Sequence, residues 1–583
     1  MSRKTFYKLL SLLAIIGLLQ TQAIAFADKG DDSIEQAQHI QVNQSYAGLL
    51  SDYNDANYYH FRLDTAGQLD VTMPNVSGKS WRYSLYDGTG KEFPWYAYTS
   101  YSELAKGDSV SSVGLPAGDY YLRIGRYDGD LTKTPYSVQL KFTPGDTFEK
   151  EANDTLSTAT IISVNKNYQS RLQYYSDVDY YKFSLTKSGK ASIILPNVSG
   201  ISWRYQLYDS EGNAFPWYNY TESNELAKGN SISTVGLPAG DYYVGISRYD
   251  GNVDIAPYTL QMKFTAGDTY EKEGNDTLST ATSVSVNKTY DTALQYYSDV
   301  DFYKFNLAQS GKLSLVIPNV SGISWRYQLY DSEGNAFPWY GYTNYSELAK
   351  GNTVSNVGLP AGEYYVRISR YDGNVSGSPY SLTLKFTPGS TYEQENNDKL
   401  SAATPIAVNK LYESGLQHYS DYDYYRFTLT SRSVISIGQI KGYADQSLYL
   451  NLLDSKGNYL DTSSGKTTLA AGTYYLTFSG NAGDYKFKVN AATLPLSTKQ
   501  VTIVNKKGAS SDTVTVSSIK KGDVIKAYSK QGKLLGQTTV ASGTKATLKL
   551  TALSSIGGEL YVSLTSAGLQ ESGKIAVKYG KES

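Results

Sequence analysis

The chain of 583 residues contains no cysteine, so no disulfide holds it and no thiolate metal site is available. It has only three histidines, His39, His60 and His418. None sits in an HExxH motif, and there is no G-x-S-x-G elbow or phosphate loop. Zinc chemistry and the common nucleophilic and phosphoryl-transfer machineries are thereby left without their residues. Beyond the N-terminus no apolar run is long enough to span a membrane. What the sequence has in excess is tyrosine, 56 residues, and glycine, 51. That combination suits β-strands and turns, so the expected fold class is all-β.

The N-terminus reads as a secretory signal peptide over residues 1–27. MSRKTFYK is a basic lead, LLSLLAIIGLL a short apolar stretch, and AIAFA offers small-residue cleavage positions. The expected location is therefore secreted, extracellular or associated with a cell surface. Net charge is −1 but unevenly spread. From Lys499 to Ser583 there are 13 lysines, no arginine and 5 acids, whereas residues 28–498 carry a net −12. An acidic array followed by a basic tail points to two kinds of partner.

A long repeat sets the organisation. Trp81, Trp203 and Trp325 each open a WRY and stand 122 residues apart, and FPWY and GLPAG keep the same period. A period this long means tandem whole domains rather than solenoid units, whose periods run roughly 20–50 residues. The expected divisions are repeat 1 over 28–145, repeat 2 over 146–267, repeat 3 over 268–389, a shorter repeat 4 over 390–492, and a basic domain over 493–583. Alternation such as Tyr258, Leu260, Met262 and Phe264 against Thr259, Gln261 and Lys263 predicts half-buried strands. DSEGN and PAGD read as turns. Each repeat is expected to be an antiparallel β-sandwich or jelly roll.

Three repeats open on an acidic segment: FEKEANDTLS, YEKEGNDTLS and YEQENNDKLS. Each is followed by a second acidic motif, SDVDYYKF, SDVDFYKF or SDYDYYRF. Read from the residues alone, these are either metal sites or solvated linkers in which the Asn-Asp pair caps a short helical turn. The order of the two motifs, with PAGDYY after them, resembles the bacterial pre-peptidase C-terminal domain. It is similar in particular to the collagen-binding modules of clostridial collagenases. The C-terminal residues resemble bacterial Ig-like modules.

The first resemblance implies calcium, held in repeat 2 by Glu149, Glu151, Asn153, Asp154 and Asp179. In repeat 3 it implies Glu271, Glu273, Asn275, Asp276 and Asp301, and in repeat 4 Glu393, Glu395, Asn397, Asp398 and Asp423. Asp177, Asp299 and Asp421 are expected helpers. Repeat 1 departs from the pattern, with Ala27 and Lys29 in the places of the glutamates and Asn57 in that of Asp179. Its site is expected to be weak or empty.

The aromatic segments suggest a binding surface. Trp95, Trp217 and Trp339, with Tyr98, Tyr220 and Tyr342, are candidates because aromatic rings give large contact area at small entropic loss. Tyr127, Tyr249 and Tyr371 lie where the collagen-binding modules place a binding tyrosine. Trp81, Trp203 and Trp325 are expected in the core. The expected function is non-catalytic, calcium-dependent binding of an insoluble extracellular polymer, collagen-like or polysaccharide, through several weak modules acting together. The basic C-terminal domain is the candidate holder of an anionic cell-wall polymer. No nucleic acid and no transmembrane segment is expected. A self-associating spacer of a cell or spore surface layer is the alternative, and a carbohydrate-active enzyme using paired acids is a third reading.

Overall fold

The computed structural model describes residues 24–25, 30–252, 256–375, 377–418, 420–441, 448–508 and 512–583. The expected signal peptide lies outside the described residues but for the two-residue strand Ile24–Ala25. The chain divides into two compact units, Met1–Gly274 with Ser376–Ser378, and Asn275–Val375 with Pro379–Ser583. The protein is all-β: among the described residues the helical elements are short 3-10 turns. No helix among them is long and apolar enough to cross a membrane.

Repeat 2, in the first unit, shows the plan. One sheet runs in the order Asn167–Ser170, Tyr258–Ala266, Gly189–Pro196, Asn230–Leu237. The other runs Thr160–Ile161, Val178–Leu185, Gly240–Asp250, Ser202–Tyr208, Ala214–Tyr220. All pairings are antiparallel but one, the short edge Thr160–Ile161 against Tyr181 and Lys182. The alternating residues of each strand face the gap between the sheets. In Tyr258–Ala266 the predicted pattern holds, with Tyr258, Leu260 and Met262 buried and Thr259 and Lys263 exposed.

Trp203 is fully buried and packs on Tyr258 with ring centroids 5.6 Å apart. Trp81 and Trp325 are buried in the cores of repeats 1 and 3, as expected. Repeat 1 in the first unit, and repeats 3 and 4 in the second, have the same two-sheet arrangement. The C-terminal residues form a three-stranded and a four-stranded sheet around Val514, Ile525 and Val562. They attach to repeat 4 through Gln570, whose N–H donates to Ala491 O at 2.8 Å and whose carbonyl accepts from Thr493 N at 3.0 Å.

Candidate metal centres and an exposed tyrosine surface

The acidic segment runs as irregular chain into a 3-10 turn, so its side chains are free of any sheet's alternation. In repeat 2 that turn is Leu156–Thr158, and it is closed by Thr155 and Thr158. The Asn-Asp pair does not cap it. Asn153 is instead fully buried, with neither its oxygen nor its nitrogen hydrogen-bonded by the side chain. Its carbonyl accepts from Tyr180 N at 2.9 Å, which lays the segment against the strand Val178–Leu185. That strand opens on the second acidic motif.

Carboxylate oxygens of Glu149, Glu151 and Asp179 thus lie within 4.8 Å of one another, all buried. One oxygen of most of these carboxyls is fixed from outside. Arg171 N donates to Glu149 Oε1 at 3.0 Å, Ser170 Oγ to Glu149 Oε2, Tyr258 OH to Asp179 Oδ2, and Gln173 N to Asp177 Oδ2. The others point inward without a partner: Glu151 Oε1, Asn153 Oδ1, Asp177 Oδ1 and Asp179 Oδ1.

Repeat 4 repeats the arrangement of the carboxyl groups. Glu393, Glu395 and Asp423 group within the same 4.8 Å. Gly415 N donates to Glu393 Oε1 at 2.9 Å, Tyr485 OH to Asp423 Oδ2 at 2.6 Å and Gln417 N to Asp421 Oδ2 at 2.5 Å. Glu395 Oε1, Asn397 Oδ1, Asp421 Oδ1 and Asp423 Oδ1 are the unpartnered oxygens. Among the described residues no lysine or arginine pairs with any of these carboxylates in either repeat. Buried oxygens without donors are rare because each forfeits its hydration. Two sets of the same four make oxygen-only clusters that could hold a metal ion, and their donors suit a hard cation.

The equivalent residues of repeat 3 fall in both units. Glu271 and Glu273 are buried in the first, Asn275, Asp299 and Asp301 in the second, where Asp276 is half-buried. Asp154 is half-buried and accepts from Tyr174 OH at 3.0 Å, and Asp398 is exposed, so both stand at the rim. In repeat 1, Ala27 and Lys29 lie outside the described residues. Asn57 is buried and donates to Tyr136 OH at 2.8 Å. Gly48 stands in the place of Ser170, and a Cβ there would meet Tyr136 OH at 2.4 Å. In repeat 1 the Tyr136 ring fills the space where repeats 2 and 4 place the hydroxyls of Ser170 and Ser414.

Burial first, and then neighbouring carboxylates, push these acids up. Glu149, Glu151 and Asp179 are raised well above the usual range, as are Glu395 and Asp423. Asp177 and Glu393 rise to about 7 and Asp421 to about 6, burial leading in each. A folded pKa above the unfolded value, about 4, favours the folded state at pH below 4 and loses that advantage as pH rises through the folded value. Metal-free protein is therefore expected to melt at progressively lower temperature from pH 5 to pH 8. A bound cation competes with protons, so its stabilisation grows over the same range. Calorimetry with and without chelator checks both slopes; parallel profiles would contradict the assignment.

The aromatic candidates separate by strand parity. Trp95, Trp217 and Trp339 are core residues, 2 %, 2 % and 0 % exposed, which corrects their assignment to a binding surface. Each lies in the FPWY strand, where successive side chains point to opposite faces. Trp217 faces inward onto Tyr205, with centroids 6.3 Å apart. The tyrosines face out. Tyr98 contacts Tyr127 with centroids 4.0 Å apart, Tyr220 contacts Tyr249 at 3.8 Å and Tyr342 contacts Tyr371 at 3.9 Å. Tyr127, Tyr249 and Tyr371 are each about half exposed. Tyr96, Tyr218 and Tyr340, not among the sequence candidates, extend each pair and lie under Arg82, Arg204 and Arg326 at 5.1, 5.2 and 5.7 Å.

Residues 299–370 match the family model of the bacterial pre-peptidase C-terminal domain. The chain is 25% identical over 239 residues to collagenase ColT of Clostridium tetani, covering 39% of this chain and 23% of that protein. It is 25% identical over 310 residues to collagenase ColA of Clostridium perfringens, covering 48% and 26%. The chain thus spans about a quarter of the length of the curated relatives it matches. Among solved structures, the pre-peptidase C-terminal domain of a collagenase from Bacillus anthracis is 24% identical, with 18% of this chain and 92% of that one covered and a TM-score of 0.15. The matched residues lie inside repeat 3, and the two acidic motifs of that repeat recur in repeats 2 and 4.

Proposed function

We propose that the chain is a secreted, non-catalytic binding protein whose calcium-dependent repeats hold an insoluble extracellular polymer. The observation that carries the binding role is the exposed tyrosine pair at the same place in three repeats. Exposed rings in contact lose little freedom on binding, and three modules on one chain raise effective concentration to about mM. The matched relatives are named as collagenases, which puts collagen first among the polymers to test. A polysaccharide ring stacks on tyrosine equally well. The acidic sites take calcium, because four buried carboxylates and one amide oxygen in each of repeats 2 and 4 leave no place for a nitrogen- or sulfur-seeking metal. Repeat 3 is assigned a site by sequence equivalence, and repeat 1 none. The proposed modules are residues 28–145, 146–267, 268–389 and 390–492, with 493–583 as a basic domain for an anionic cell-wall polymer.

Retention of the mature chain on insoluble collagen, chitin, cellulose and bacterial cell wall, each with calcium and with chelator, tests this. Retention on one polymer, weakened at least tenfold when Tyr98, Tyr127, Tyr220, Tyr249, Tyr342 and Tyr371 become alanine, is the expected result. No retention on any polymer favours the surface-layer spacer. Cell-wall retention that survives deletion of residues 493–583 removes the role given to that domain.

A further inference from the structure

Each acidic segment lies against the repeat before it, on one glycine. Glu151 N donates to Gly114 O at 2.9 Å, Glu273 N to Gly236 O at 2.8 Å and Glu395 N to Gly358 O at 2.9 Å. These are the first glycines of the three GLPAG motifs. A Cβ on Gly114 would meet Glu149 O at 2.0 Å, one on Gly236 would meet Glu271 O at 2.0 Å, and one on Gly358 would meet Glu393 O at 2.1 Å. None of the three has a positive φ, so close approach of backbone to backbone is what requires glycine there. A cavity of about 370 Å³ adjoins the first contact, lined by Gly114, Glu149 and Ser170, and one of about 320 Å³ the third, lined by Gly358, Glu393 and Ser414.

The fourth repeat supplies the contrast. Thr468 pairs with Val434 there, as Gly358 pairs with Lys312 in repeat 3. Thr468 is exposed, and no acidic segment follows it in the sequence. The glycine stands in the three repeats that another repeat follows. The acidic set stands in the three repeats that another repeat precedes.

We propose that the metal centres of repeats 2 and 4 are each a device of two repeats. The glycine of one repeat is a positioning residue for the ion in the next, and the ion in turn fixes the pair of repeats in one orientation. The proposal rests on the calcium reading above. It requires reciprocity: whatever loosens the glycine contact weakens the ion, and removing the ion loosens the contact.

The test is calcium titration calorimetry of the full chain against Gly114→Ala, a change that removes no carboxylate or amide oxygen from the site. One of three tight sites is expected to weaken by about tenfold or more, the usual loss when support behind a ligand is removed. A second measurement guards against a variant that misfolds. Because the chain has no cysteine, spin labels at Lys91→Cys in repeat 1 and Glu211→Cys in repeat 2 report their separation cleanly. The distance distribution of that doubly labelled chain is expected to be narrow with calcium and broad with chelator. Unchanged affinity at all three sites in Gly114→Ala, or distances indifferent to calcium, overturns the interlock and leaves the calcium reading standing. No calcium binding by the unsubstituted chain overturns both.

Discussion

Glu151→Gln, Glu273→Gln and Glu395→Gln in one chain are expected to abolish the stabilisation by calcium and to make the rank order of variant and parent depend on it. With calcium at a hundredfold excess over Kd, each occupied site stabilises the native chain by about 2.7 kcal/mol. The variant forgoes that stabilisation and melts below the parent. In chelator the order inverts. Glu151 is 4 % exposed, with burial and then Asp179 and Asp177 opposing its charge. Glutamine keeps the shape and removes the charge, so the metal-free variant melts above the metal-free parent. Glu151 and Glu395 are better choices than Glu149 or Glu393, whose oxygens accept from serine hydroxyls and backbone N–H groups and are needed for local structure. Thermal unfolding of both proteins in both buffers gives four midpoints. A variant that still gains stability from calcium as the parent does would refute the assignment.

Trp217→Ala is expected to destabilise repeat 2 by about 3–5 kcal/mol, while Tyr249→Ala changes stability by less than about 1 kcal/mol. Trp217 fills the core beside Tyr205, and its removal leaves a cavity that β-strands cannot close. Tyr249 is 55 % exposed and loses only its contact with Tyr220. Denaturant unfolding separates the two, and polymer retention divides them the other way: the tyrosine variant folds and binds less. Equal losses of stability would mean that the tyrosine pair is part of the core.

The acidic residues were legible because the segment is linear and recurs: Glu149, Glu151, Asn153 and Asp179 are close in sequence and repeat after 122 residues. Their supports were not. Tyr258 lies 79 positions from the Asp179 it bonds, and only strand pairing brings it there. Ser170 is a signal that comparison of the repeats contains, since glycine replaces it in the degenerate repeat 1 at Gly48. The misplaced tryptophans carry a plainer lesson. Trp95 and Tyr98 are three positions apart in one strand and cannot share a face, so alternation alone divides FPWYAY into an inward tryptophan and outward Tyr96 and Tyr98. The GLPAG glycine was read as a repeat marker; its docking role needs the neighbouring repeat in place.

The glycine seat and the acidic segment sit at opposite ends of one sequence period, and this bears on how such a chain changes over generations. Losing residues 146–267 removes one seat together with one set of ligands, and brings Gly114 into line with Glu271 and Glu273. Unequal exchange between near-identical repeats can therefore lengthen or shorten the array by whole periods, and every resulting junction inherits both of its halves. The reach of the protein can drift by a repeat at a time without any junction having to be invented again.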